Sequence, residues 1–275
     1  MSEGPARTSS RSRARERALA RVLATHASLD RSAALARDPV RFARRYATRE
    51  DRELAALVCA LLAFGNVTTI GNKLRELLVT RLEDAPARMA RTLSRDELVR
   101  ALDAFVHRTF VGRDIALLLH AAGEVQREHG SLYAPLALEY ARTQSLHDAL
   151  ASWTKTLRDS AFGDALTRSQ RHLLPDPAGA SACKRWLLLC RWIARPDDGV
   201  DLGLAEIPTR ALVIPLDVHV HRVARALGLT EKRAPSWAAA VEVTEALAAL
   251  DPEDPVRFDF ALCHTEIAKR SVKTE

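Results

Sequence analysis

Apolar residues recur along most of this 275-residue chain at intervals of three and four, and nowhere do they alternate convincingly with polar ones. That periodicity belongs to amphipathic helices and leaves little room for a sheet. Residues 51–64 (DRELAALVCALLAF) read as a strongly apolar helix broken at Gly65-Asn66, and residues 69–82 resume with Ile70, Leu74, Leu77 and Leu78 on one face. Ser94 is placed to cap a helix carrying Leu98, Ala101, Leu102 and Phe105. Residues 112–130 and 145–157 supply further amphipathic stretches. The one strand-like run is residues 211–214 (ALVI), which Pro215 ends. A parallel sheet needs several such runs, so the expected class is all-α. The length suits one large helical domain or two lobes.

Charge narrows the partners only slightly. The net charge is +6, and most of it sits at the N-terminus, where six arginines between Arg7 and Arg21 outnumber Glu3 and Glu16. Residues 1–15 therefore read as a disordered Arg-rich arm, with residues 16–275 as the folded domain. Such an arm can add non-specific phosphate contacts. No apolar run approaches the roughly 20 residues that span a bilayer, and no signal core opens the chain, so a cytoplasmic monomer without a membrane partner is expected. Cys59, Cys183, Cys190 and Cys263 are scattered singly. They suit core positions rather than a zinc site, a disulfide framework or an iron–sulfur cluster. His219 and His221 are two apart, which on a helix points them away from each other, so no metal is expected there. Asp197, Asp198 and Asp201 read as a solvated acidic loop, and Trp153, Trp186, Trp192 and Trp237 as core.

Two segments could carry chemistry. In residues 215–222 (PLDVHVHR) an extended, Pro-broken stretch turns into a helix at Asp217, whose side chain suits the N-cap. Val220, Val223, Ala224 and Leu227 form the apolar stripe behind it, and Gly228 suits the stop. The helix dipole favours an ionised Asp217, an anion able to stabilise a developing cation. Upstream, residues 175–181 (PDPAGAS) make a tight turn before a helix with Lys184 in its first turn. There the dipole and partial desolvation are expected to lower the lysine pKa, and a neutral lysine can attack a sugar C1′. Taken singly, each segment also fits an ordinary cap or a solvated lysine. Their order carries the expectation: turn, lysine, helix, linker, aspartate.

That order resembles the helix-hairpin-helix DNA glycosylases of the endonuclease III and 8-oxoguanine glycosylase superfamily. Residues 177–185 (PAGASACKR) look like the hairpin and second-helix start, and residues 215–229 are similar to the V-D-x-H-x-x-R-V…L-G-L signature. The long insertion between Lys184 and Asp217 is similar to that of the archaeal 8-oxoguanine glycosylases. The resemblance implies a two-lobed helical fold with its helix-hairpin-helix near residues 166–194 and a cleft between the lobes. It implies Lys184 as Schiff-base nucleophile and Asp217 as catalytic carboxylate. Gly179, Ala180 and Ser181 would hold a DNA phosphate on backbone amides, with His219 near another phosphate. Asn66 would fill the hole left by a flipped nucleotide, and Asp259 would contact the base. The partner would be double-stranded DNA with a damaged base, and an oxidised purine such as 8-oxoguanine is the expected lesion. The hairpin departs from the usual double-glycine spacing, with Ala178 and Ser181 in place of the expected residues. No cofactor is implied. A non-catalytic nucleic-acid binder on this fold, or a helical protein-interaction scaffold, would fit the same composition.

Overall fold

The computed structural model describes residues 5–179 and 181–264, with side chains from Arg13 to Cys263. Helices α1 (Pro5–Ala27), α2 (Arg31–Leu35) and α3 (Val40–Arg44) lead into α4 (Arg49–Leu61). After the Gly65-Asn66 break comes α5 (Val67–Arg75), which runs on as a π-helical segment, Glu76–Arg81. Next are α6 (Pro86–Thr92), α7 (Arg95–Leu102) and a minimal hairpin of β1 (Val106–His107) and β2 (Phe110–Val111). Helices α8 (Gly112–His129), α9 (Ala134–Thr143) and α10 (Leu146–Phe162) complete the first part. The second holds α11 (Arg168–Leu173), α12 (Lys184–Ala194), α13 (Val218–Ala226), α14 (Trp237–Leu247) and α15 (Asp259–His264). The protein is all-α.

Local chemistry explains most boundaries. Thr48, Ser94, Ser145, Thr167 and Ser236 each accept a first-turn amide, and Ser94 and Glu97 close a reciprocal capping box. Two expectations need correcting. The sheet among the described residues lies at 106–111, not at 211–214. Residues 212–216 are extended but have no neighbouring strand: the Ile214 amide donates to Thr244 Oγ1 at 2.9 Å, and Pro215 has no amide to give. Secondly, α1 begins at Pro5, so the boundary set at residue 15 falls inside a helix. Arg, Ala and Glu are good helix formers, and Ala18, Leu19 and Val22 bury the inner face of α1, which packs on α15.

Buried apolar side chains connect into one cluster from Ala18 to Leu262, with α4 and α12 at its centre. Trp153, Trp186 and Trp192 are buried there, and Trp237 is half-buried against it. Both central helices are enclosed on every side: α4 is buried from Glu53 to Leu61 and α12 from Arg185 to Ala194. Their charged residues are therefore internal. Glu53 accepts from Gln126 Nε2 (2.8 Å), Ser131 Oγ (2.6 Å), the Leu132 amide (2.8 Å) and Arg49 Nε (3.0 Å), so its lone pairs are satisfied. The stretch after α12, expected as a solvated loop, is pinned down. Asp197 meets Arg44 at 2.9 Å, Asp198 meets Arg31 at 3.4 Å, and Asp201 is fully buried beside Arg191 and Arg195.

Helix α8 approaches its neighbours closely. A Cβ on Gly112 would fall 1.7 Å from the Leu102 carbonyl oxygen, and one on Gly123 2.3 Å from that of Ala90. Gly112→Ala is expected to cost about 1–3 kcal/mol through forced backbone shifts, read as a lower urea midpoint. An unchanged midpoint would contradict this contact. No helix among the described residues is long and apolar enough to cross a membrane.

Candidate active site

The extended run through the buried Leu212, Ile214 and Leu216 delivers Asp217 to the start of α13 with its backbone still extended (φ −102°). Asp217 Oδ1 accepts the Val220 amide at 2.8 Å, which fixes the carboxylate as a cap. Its other oxygen, Oδ2, accepts from Lys184 Nζ at 2.8 Å. Lys184 opens α12, and the residue before it, Cys183, sits in the left-handed region (φ 48°, ψ 37°). A non-glycine residue there costs about 1–3 kcal/mol and persists only where its surroundings impose it. Here the Cys183 amide donates to Ser181 Oγ (3.1 Å), its thiol points at the Asp176 carbonyl (3.5 Å), and the side chain is buried. That forced turn is what aims Lys184 at Asp217.

Electrostatics in the pair oppose one expectation. Burial pushes the Lys184 pKa down, as expected, but the Asp217 carboxylate outweighs it, and the lysine lies above its ordinary value. Burial likewise pushes Asp217 up, and the Lys184 ammonium and the Val220 amide overcome it, holding the carboxyl below its usual range. Lys184 is thus an ammonium at neutral pH.

Both residues line a cleft of about 540 Å³, within the range of about 300–1,000 Å³ typical of ligand sites. Its walls include Phe64, Val67, His172, Ser181, Arg185 and Arg37. The other expected residues are placed differently. The Gly179 amide donates to the Asp176 carbonyl (3.1 Å) and the Ala178 amide to Asp176 Oδ1 (3.1 Å), so the Asp176-Pro177 turn consumes the Gly179 amide that was expected to hold phosphate. Ser181 faces the cleft, but its hydroxyl oxygen is occupied by the Cys183 amide; Ala180 lies outside the described residues. Asn66 is exposed and caps α5, accepting the Thr68 (2.9 Å) and Thr69 (3.2 Å) amides. Its side-chain oxygen is therefore committed, and the apolar side chain projecting at that rim is Val67, 51% exposed. His219 is half-buried, and its Nδ1 accepts from Arg222 at 3.0 Å.

Asp259 is a correction. It is buried, lies outside the cleft lining, and binds Arg191 Nη1 at 2.6 Å, so it neutralises an internal cation instead of meeting a base. Arg37, Phe64, His172 and Arg185 are among the cleft residues that carried no functional reading in the sequence. The signal for Arg185 was present, since the helix that carries it is apolar almost all round and any charge on it must be internal. No group of three or more metal-ligating side chains exists among the described residues.

Residues 38–268 match the model of a family described as a protein of unknown function, DUF2400. No curated protein and no solved structure matches the chain. With the match covering both Lys184 and Asp217 and most of the chain, this protein belongs to the DUF2400 family.

Proposed function

We propose that the cleft belongs to a DNA glycosylase with β-lyase activity, excising a damaged base in base excision repair. The observation that carries this reading is the 2.8 Å contact between Lys184 and Asp217 at a cleft able to admit a flipped nucleotide. The two were singled out on separate segments, and a shared reacting centre requires them together.

The chemistry follows from those groups. Breaking the bond between C1′ and the base nitrogen sends the electron pair onto the base and leaves oxocarbenium character on the sugar. Asp217, ionised and rigidly capped, stabilises that charge. Lys184 starts as an ammonium, so its proton passes to the departing base or, through Asp217, to water. The freed amine attacks C1′. Opening of the sugar ring gives the Schiff base, and β-elimination breaks the C3′–O bond to nick the strand. The target nucleotide must first leave the stack, which costs a few kcal/mol and is cheapest at a lesion. Arg37 and Arg108, exposed at the cleft and beside Gly65, are suited to flanking phosphates.

One observation favours a non-catalytic nucleic-acid binder: the ion pair keeps Lys184 protonated, as a purely structural pair would. Base release separates the two readings. Duplexes with one 8-oxoguanine, uracil, thymine glycol or alkylated purine are expected to lose at least one of these bases to the wild-type protein. Salt-dependent duplex binding with no base released from any of them would contradict catalysis.

A further inference from the structure

Arg185 is an unusual cation. It is 8% exposed, yet no carboxylate pairs with it among the described residues. Its Nη1 donates to the carbonyls of Leu61 (2.8 Å) and Leu173 (3.4 Å), and Nη2 donates to that of His172. The guanidinium also lies over the faces of Phe64 (5.3 Å) and Phe110 (5.6 Å). Buried charges are normally paired, and an apolar residue of similar size would be cheaper to hold here. Arg185 lines the cleft immediately after Lys184, with Phe64 and His172 as its aromatic wall. Among the charged residues lining the cleft, Arg37, Lys184 and Arg185 stand against Asp217 alone, an excess of two positive charges.

Resting on the glycosylase reading, we infer that Arg185 receives the departing base, and that the substrates are neutral, carbonyl-bearing lesions which leave as oxyanions. When the C1′–N bond breaks, the electron pair spreads from the ring nitrogen to the carbonyl oxygens of the base. A fixed guanidinium beside them stabilises that charge, while Asp217 stabilises its counterpart on the sugar. A proton from Lys184 or water then neutralises the base. The same excess of positive charge repels purines alkylated at N3 or N7, which are cationic before cleavage. The exposed His172 ring at the cleft wall can flank either kind of base, so charge is the discriminating feature.

The experiment compares base release from duplexes bearing 8-oxoguanine, thymine glycol, uracil or N7-methylguanine, each expressed over its spontaneous loss. Wild type is expected to accelerate one or more carbonyl lesions and to give N7-methylguanine the smallest enhancement. Arg185→Gln is expected to lower kcat on the carbonyl lesions about 10²–10³-fold with KM little changed, and Arg185→Lys to recover part of the loss. A structural role would instead lower the melting temperature and reduce all lesions equally. If Arg185→Gln fails to fold, the wild-type ranking decides. N7-methylguanine as the preferred lesion, or a folded Arg185→Gln with unchanged kcat, would overturn the inference and leave the glycosylase standing. Release of no base by wild type would overturn both.

Discussion

Asp217→Asn is expected to reduce base release about 10²–10⁴-fold while leaving α13 intact. Asparagine is as good an N-cap as aspartate, so the Val220 amide keeps its partner. What disappears is the negative charge, and with it the stabilisation of the sugar cation. Lys184 also loses the one charge that outweighs its burial, so its pKa is expected to move from above the ordinary lysine value to below it. In wild type the raised lysine contributes stability that is complete below the ordinary lysine value and fades as pH climbs through the folded one. Asp217, lowered, contributes stability that is complete above the ordinary carboxylate value and is lost as pH falls through the folded one. The pair therefore holds across the neutral range. Each side chain is 35% exposed, so water screens the contact and its loss should cost little stability. Carbon-13 shifts of Lys184 followed through a pH titration, beside base-release kinetics, check both effects. Wild-type release by Asp217→Asn would remove the carboxylate from the reaction.

The largest stability loss is expected from Arg191→Met, at about 3–5 kcal/mol. Arg191 is 3% exposed and holds Asp259 at 2.6 Å and Asp201 at 3.5 Å. Burial raises both carboxyls, and it raises nearby Asp38 to about 6, with Arg191 opposing the shift at all three. Acids whose folded pKa lies above the unfolded one destabilise the fold once pH exceeds the unfolded value, and the penalty grows until the folded value is passed. Without Arg191 those values rise further. The deficit of Arg191→Met against wild type should thus be large at pH 7 and shrink as pH falls through the folded values, vanishing well below the ordinary carboxylate value of about 3.9, where the acids are protonated in both states. Urea unfolding at several pH values measures it. A deficit independent of pH would mean that packing, not charge, is lost.

The legible parts of the sequence were those with local causes. Asp217 and Ser94 as caps and the helix start at Ser145 follow from hydroxyl or carboxylate chemistry within three residues. Lys184 and Asp217 were singled out by their order, but their contact is a property of the turn that Cys183 makes, and nothing in a cysteine announces a left-handed backbone. Arg185, Arg191, Glu53 and Asp201 were missed for one reason: they sit on or beside helices enclosed on every side, so their partners come from distant segments. Asn66 and Gly179 show the opposite error. The resemblance put both at the DNA, whereas the Asn66 side-chain oxygen and the Gly179 amide are engaged in local turns.

The most direct test is borohydride reduction of the protein on duplexes carrying one damaged base, with the covalent product digested and its adduct mapped. The expected product is a cross-link on a damaged-base duplex, located at Lys184 Nζ and absent from Lys184→Gln. A cross-link at another residue, or an equal yield from Lys184→Gln, would contradict it.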